Sequence, residues 1–168
     1  DTRNFERQTL MEDVVAFQYL FRYANIPLAR HIEQADLQMN FLKYFSRAIA
    51  DRRFRKGKMF VHLGAVPNPD ICVLVAEFFM RIETVHWSIV SGTCDKRLTV
   101  VFRNDGLRRH AGQVAHESFG AFGSAGGHKT MARGELPLAA LPETTDPRDT
   151  RRFTNWLINR VQKRAGTP

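Results

Sequence analysis

Gly123-Ser124-Ala125-Gly126-Gly127-His128-Lys129-Thr130 sets three glycines, a histidine and a lysine within eight residues. Glycine removes the Cβ that keeps other groups away from the backbone, so a ligand can approach main-chain N–H groups closely. Consecutive N–H groups in such a segment form anion-binding nests. A histidine adds a titratable donor and a lysine a fixed positive charge. The segment therefore predicts a loop that holds phosphate.

The Walker A pattern, G-x-x-x-x-G-K-[ST], is excluded. Gly123, Lys129 and Thr130 occupy matching positions, but His128 stands where the second glycine belongs. A Walker loop also leaves a strand and enters a helix. Here the preceding stretch, Gly112-Gln113-Val114-Ala115-His116-Glu117-Ser118-Phe119, lacks strand alternation and reads as helix.

Upstream, Leu98-Thr99-Val100-Val101-Phe102-Arg103 alternates as a strand and ends on an arginine. The turn Asn104-Asp105-Gly106, the helix, Phe119-Gly120-Ala121-Phe122 and the glycine segment follow in order. This succession resembles the DHHA1 domain, the C-terminal substrate-binding half of DHH-family phosphoesterases, which carries a glycine-rich stretch ending in Gly-Gly-His. The order and spacing fit across roughly residues 56 to 140; the likeness is specific around the glycine segment and loose elsewhere. The part before it is similar to the linker and last helices of a catalytic DHH domain. Asp1-Thr2, with Phe5 after it, looks like the end of the segment that supplies a late metal-ligand aspartate there.

The resemblance implies an α/β fold with a central sheet of about four to five strands flanked by helices. A helical leader (1–55) would precede a DHHA1-like domain (56–168). It implies phosphate binding by Arg103, Gly123, Ser124, Gly126, Gly127, His128 and Lys129. The family's chemistry is that of two metal ions, typically manganese, which activate water and stabilise the leaving oxygen. The Asp-His-His sequence is absent from this chain, and no Asp-x-Asp pair occurs in its first half. Asp1 is the one candidate metal ligand, and only within a complete protein. The implied activity is thus that of a substrate-binding part, serving hydrolysis of short oligonucleotides or small nucleotides. Its partners would be nucleotide phosphates, an N-terminal DHH catalytic domain and, in some assemblies, a second copy. The competing reading is an RNA-binding module without hydrolysis, since DHHA1-like domains also accompany alanyl-tRNA synthetases.

Composition sets the outer bounds. The 168 residues suffice for one ordinary domain, or one domain plus helices from another. A net charge of +8 favours a polyanionic partner. Cys72 and Cys94 form no C-x-x-C, so neither a zinc site nor a disulfide framework is expected. No apolar run approaches the ~20 residues of a membrane span, and a reduced, cytoplasmic setting is the simplest expectation.

Along the chain, helices are expected from Thr9 to Tyr23, from Pro27 to Ile32 and over Leu37 to Ile49. Strands are expected at Met59 to Leu63, Val85 to Val90, Leu98 to Arg103 and Met131 to Leu136. A buried helix fills Asp70 to Ile82, and Asp146-Pro147 is expected to open a last helix with a basic outer face. For Arg103, a salt bridge to Asp105 or Glu135 is the ordinary alternative to ligand binding. Arg108 and Arg109 read as steering charges or as a solvated face. His31, His62, His86, His110 and His116 lack metal-ligand spacing and are expected at the surface or half-buried.

Overall fold

The computed structural model describes residues 9–29, 38–107 and 109–165. Asp1, Thr2, Phe5, His31 and Arg108 lie outside the described residues. Chain contacts divide it into two compact units, residues 1–39 and 40–168.

In the first unit, α1 spans Met11–Phe21. The Leu10 N–H donates to Asp13 Oδ2 at 2.9 Å, so Asp13 closes the helix start. The helix carries apolar residues all round, and ring pairs Phe17–Phe21 and Tyr19–Tyr23 stack along it with centroids 5.5 Å apart.

The second unit is an α/β sandwich on a six-stranded mixed sheet. A 3-10 turn, Met39–Phe41, overlaps the unit boundary and leads into α2, Leu42–Asp51. Strands β1 (Arg53–Arg55) and β2 (Lys58–Ala65) form a hairpin, and α3 (Asp70–Met80) crosses to β3 (Trp87–Cys94). Then come β4 (Arg97–Asn104), α4 (Ala111–Phe119), β5 (Ser124–Gly127), β6 (Met131–Pro137) and α5 (Thr150–Ala165). The strand order is β1-β2-β3-β4-β6-β5. Only β2 and β3 pair in parallel, and α3 is the crossover that parallel pairing requires.

Two strands exceed the expected set, for physical reasons. β1 is Arg-Phe-Arg, three exposed residues, too short to show the apolar alternation that marks a strand. β5 is Ser-Ala-Gly-Gly, whose glycines read as a loop until β6 pairs with them. The last helix starts at Thr150, later than Asp146-Pro147 suggests. Asp146 Oδ1 instead accepts from the Arg148 N–H at 2.9 Å, and Asp149 Oδ1 caps the helix through the Arg152 N–H at 3.1 Å.

Strand alternation splits the core into two layers. Phe60, Ile89, Leu98, Val100 and Phe102 face α4 and α5, where Phe119, Phe153 and Leu157 meet them. Met59, Val61, Leu63, Val90 and Val101 face α2 and α3, against Tyr44, Ala48, Ile71, Val75 and Phe79. Helix α3 sits close on β3. A Cβ on Gly92 would stand 2.9 Å from Cys72 Sγ.

His62, expected at the surface or half-buried, is wholly buried, 0% exposed, and its ring lies 4.4 Å from that of Phe153. Its Nε2 is 2.9 Å from the Pro147 carbonyl oxygen, which can only accept, so Nε2 carries the proton. Nδ1, 2.8 Å from Ser91 Oγ, then accepts from the hydroxyl. Burial pushes the imidazole pKa down to about 4, against the smaller upward pull of the Pro147 carbonyl. The unfolded chain titrates near 6.5 and takes up the proton first. Stability should therefore fall as pH drops through the window from 6.5 to 4, by up to about 3 kcal/mol from this group. Urea unfolding at pH 7.5, 5.5 and 4.5 should show a smaller loss in His62→Gln than in the wild type. Parallel losses in both proteins would refute the coupling.

Candidate functional site

Arg103 is the next-to-last residue of β4. It shares a face with Thr99 and Val101, on the side of α3, as the alternation predicts. Its side chain is 16% exposed, with Nε 3.5 Å from Glu77 Oε1 on α3 and one terminal nitrogen 3.1 Å from the Phe102 carbonyl oxygen. The salt-bridge partner is thus Glu77 rather than Asp105 or Glu135. Asp105 is held by His86 Nδ1 at 2.9 Å, and Glu135 by Arg133 at 2.7 Å.

Register carries that face outward. Met131, Arg133 and Glu135 on β6 pair with Arg103, Val101 and Thr99. Ser124 and Gly126 on β5 pair with Glu135 and Arg133. These residues therefore stand on the α3 side, but α3 packs on β3 and β4. Beyond it Met131, Arg133, Glu135 and Gly126 are half-buried and Ser124 is exposed. The result is an open shelf on the outer two strands, bordered by Arg103.

The glycine segment enters this shelf as an edge strand, with β6 between it and Arg103. The resemblance puts both in one phosphate site. In fact they flank Met131, with Arg103 paired to it on one side and the His128 N–H donating to its carbonyl at 2.7 Å on the other. Two strand spacings separate them, about 10 Å. Nor are the local amides all free. Besides that of His128, the first two amides of α4 are taken: Ala111 N–H donates to the Lys129 carbonyl at 2.9 Å and Gly112 N–H to that of His128 at 3.0 Å. The side chains of His128 and Lys129 are exposed at the β5–β6 turn.

The glycines divide by purpose. A Cβ on Gly127 would lie 2.4 Å from the Met131 carbonyl oxygen, and φ is +151°. A Cβ on Gly123 would lie 2.5 Å from the Glu135 carbonyl oxygen. Both are required by backbone packing. A Cβ on Gly126 would meet nothing within 4 Å. Packing leaves Gly126 unexplained, and its bare face opens on the shelf.

Arg133 escaped the sequence reading. Alternation along β6 would have found it, because it falls on Arg103's face two residues from Arg103's partner. Its terminal nitrogen pairs with Glu135, whose other oxygen is 3.8 Å from Arg97, while its buried Nε has no hydrogen-bond partner among the described residues. Its charge reaches α3. Burial pushes the Cys72 thiol up to about 12, and Arg133 is the main influence opposing that rise. Among the described residues no three His, Cys, Asp or Glu side chains converge as a metal site. Nor is any described helix long and apolar enough to cross a membrane.

Comparison with known proteins bears on the fold. The chain matches no family model. It is 26% identical over 159 residues to an uncharacterized protein of Methanocaldococcus jannaschii, and spans 94% of itself but about a third (32%) of that protein. Among solved structures it is similar to an exopolyphosphatase-related protein from Bacteroides fragilis, with a TM-score of 0.68 at 11% identity over 96% of this chain and 46% of the other. The C-Ala domain of Aquifex aeolicus alanyl-tRNA synthetase superposes less well, with a TM-score of 0.49 at 12% identity over 69% of this chain and 99% of that domain.

Gly127→Ala should cost roughly 1–3 kcal/mol, since the new methyl group meets backbone that cannot step aside. Gly126→Ala should be close to neutral. Thermal denaturation of the two variants checks the contrast, and equal losses would contradict the division.

Proposed function

We propose that this chain is the substrate-binding part of a metal-dependent phosphoesterase acting on short oligonucleotides or small nucleotides. Phosphate sits on the shelf beside Gly126. Arg103 supplies a guanidinium that can bind two phosphate oxygens at once. Ser124 offers a hydroxyl, His128 a ring N–H and Lys129 a charge, while Gly123 and Gly127 hold the strand that presents them. A two-manganese centre, to which Asp1 would contribute, belongs to a companion DHH catalytic domain. There it would activate water and stabilise the leaving oxygen. This chain's own residues bind and orient the phosphate end.

The observation that carries the reading is the open face of Gly126 on a shelf lined by arginines. Every other glycine of the segment is accounted for by backbone contact. The fold it shares with the exopolyphosphatase-related protein is consistent with phosphate chemistry, and the net charge of +8 with a polyanionic ligand.

Arg103→Ala should weaken binding of a 5′-phosphorylated dinucleotide by about 1.5–3 kcal/mol, the cost of a lost charge-assisted pair of hydrogen bonds. Gly126→Val should block the shelf with the fold intact. Calorimetric titration measures both, and unchanged affinity in the two variants would remove the site.

The chain alone, with manganese present, should turn over no phosphodiester. Cleavage of a labelled dinucleotide by purified chain, lost on adding a chelator, would overturn the division of labour.

A further inference from the structure

The sheet register brings a second group of cations to the end of the sheet where His128 and Lys129 lie. The Gly57 carbonyl accepts from the His86 N–H at 2.8 Å, and the His86 carbonyl accepts from the Asp105 N–H at 3.1 Å. The next residue back, Asn104, donates to the Thr130 carbonyl at 3.0 Å. One continuous rim thus runs from the β1–β2 turn across β3 and β4 to the β5–β6 turn. From β2 to β5 it crosses four strand spacings, about 20 Å.

At its far end stand Arg55 and Lys56, both exposed. Lys56 and Gly57 form a two-residue hairpin turn with φ of 48° and 72°, so Lys56 is held at the tip of a tight turn. Among the described residues no carboxylate lies within ion-pair distance of Arg55, Lys56 or Lys129. Midway, the carboxylate of Asp105 is matched by His86 at 2.9 Å. The rim therefore presents unmatched positive charge at both ends and a hydrogen-bonded carboxylate between them.

We propose that the Arg55–Lys56 turn is a second phosphate contact, and that a single-stranded nucleic acid lies along this rim with one end on the shelf. The inference rests on the proposed shelf site for the anchored end of the strand. A span of about 20 Å corresponds to roughly four nucleotides, the lower end of the lengths that charged grooves hold. The rim favours a strand of several nucleotides over a mononucleotide, because only the longer ligand reaches both ends. The competing account of the turn is that charge on a sheet edge discourages strand pairing between molecules. That account gives Arg55 and Lys56 no effect on ligand affinity.

The test uses the full chain and fluorescein-labelled oligouridylates of two and eight nucleotides, followed by anisotropy over a range of salt. The double variant Arg55→Gln, Lys56→Asn keeps the strand and suits the turn, since asparagine adopts positive φ readily. It should bind the octamer about five- to tenfold more weakly, with the salt slope reduced by roughly 1.4 for two lost phosphate contacts. Its affinity for the dimer should be unchanged. An unaltered octamer affinity, or equal losses on both lengths, overturns the rim. Gly126→Val separates the two ideas. It should weaken both ligands, and dimer binding that survives it defeats the shelf, whatever the turn variant does.

Discussion

Helix α4 and strand β5 meet where Gly112 faces Gly127, and a Cβ on Gly112 would stand 2.2 Å from the Gly127 carbonyl oxygen. Only bare backbone fits there. The same closeness lets the start of α4 donate to the carbonyls of His128 and Lys129, and lets His116 Nδ1 approach the Ala125 carbonyl to 3.3 Å. The helix thus fastens the outer strand along its length, and Phe119 at its other end anchors it in the core beside Phe102, with ring centroids 6.0 Å apart. What stands on the shelf, and at what angle the β5–β6 turn offers His128, follows from that contact.

Charge at the shelf is arranged in compensated pairs. Arg103 leans on Glu77, and Arg133 on Glu135. These pairs are partly exposed, so each contributes little to stability, on the order of 1 kcal/mol or less. Their worth lies in holding two long side chains in place over the shelf. Under the proposed reading, an incoming phosphate would compete with a carboxylate for each guanidinium, which would temper affinity. Lys129, on the turn, has no carboxylate within ion-pair distance among the described residues.

Much of this was readable in advance. The alternation of Leu98, Val100 and Phe102 placed β4 and gave Arg103 its face, and the apolar run after Asp70 gave the buried α3. The glycine segment reads as a loop, and its secondary structure is hidden in the sequence. Glycines carry no alternation, and the pairing that makes them a strand comes from β6, which follows them. His62 was misplaced for a related reason. Its burial depends on Ser91 and Pro147, 29 and 85 residues away, so no local pattern reveals it. Arg133 was legible as one face of β6 by alternation, and the register of β6 against β4 shows that this face is Arg103's. Glu77 as Arg103's partner likewise needed the docking of α3 on the sheet.

The β3–β4 hairpin stands apart in one respect. It closes through the two-residue turn Asp95–Lys96, with eight paired rows, and its two faces supply residues to both core layers: Ile89, Leu98 and Phe102 on one side, Val90 and Val101 on the other. Its partner β2 can join only by a parallel pairing that waits for α3, and β6 only after α4 and β5 have been traversed. Local contacts form before distant ones because they sacrifice less chain entropy. The hairpin is therefore the natural template on which both halves of the sandwich assemble, α3 against one surface and α4 with α5 against the other. A chain cut to keep the glycine segment but lose β3 would have the shelf residues and nothing to order them.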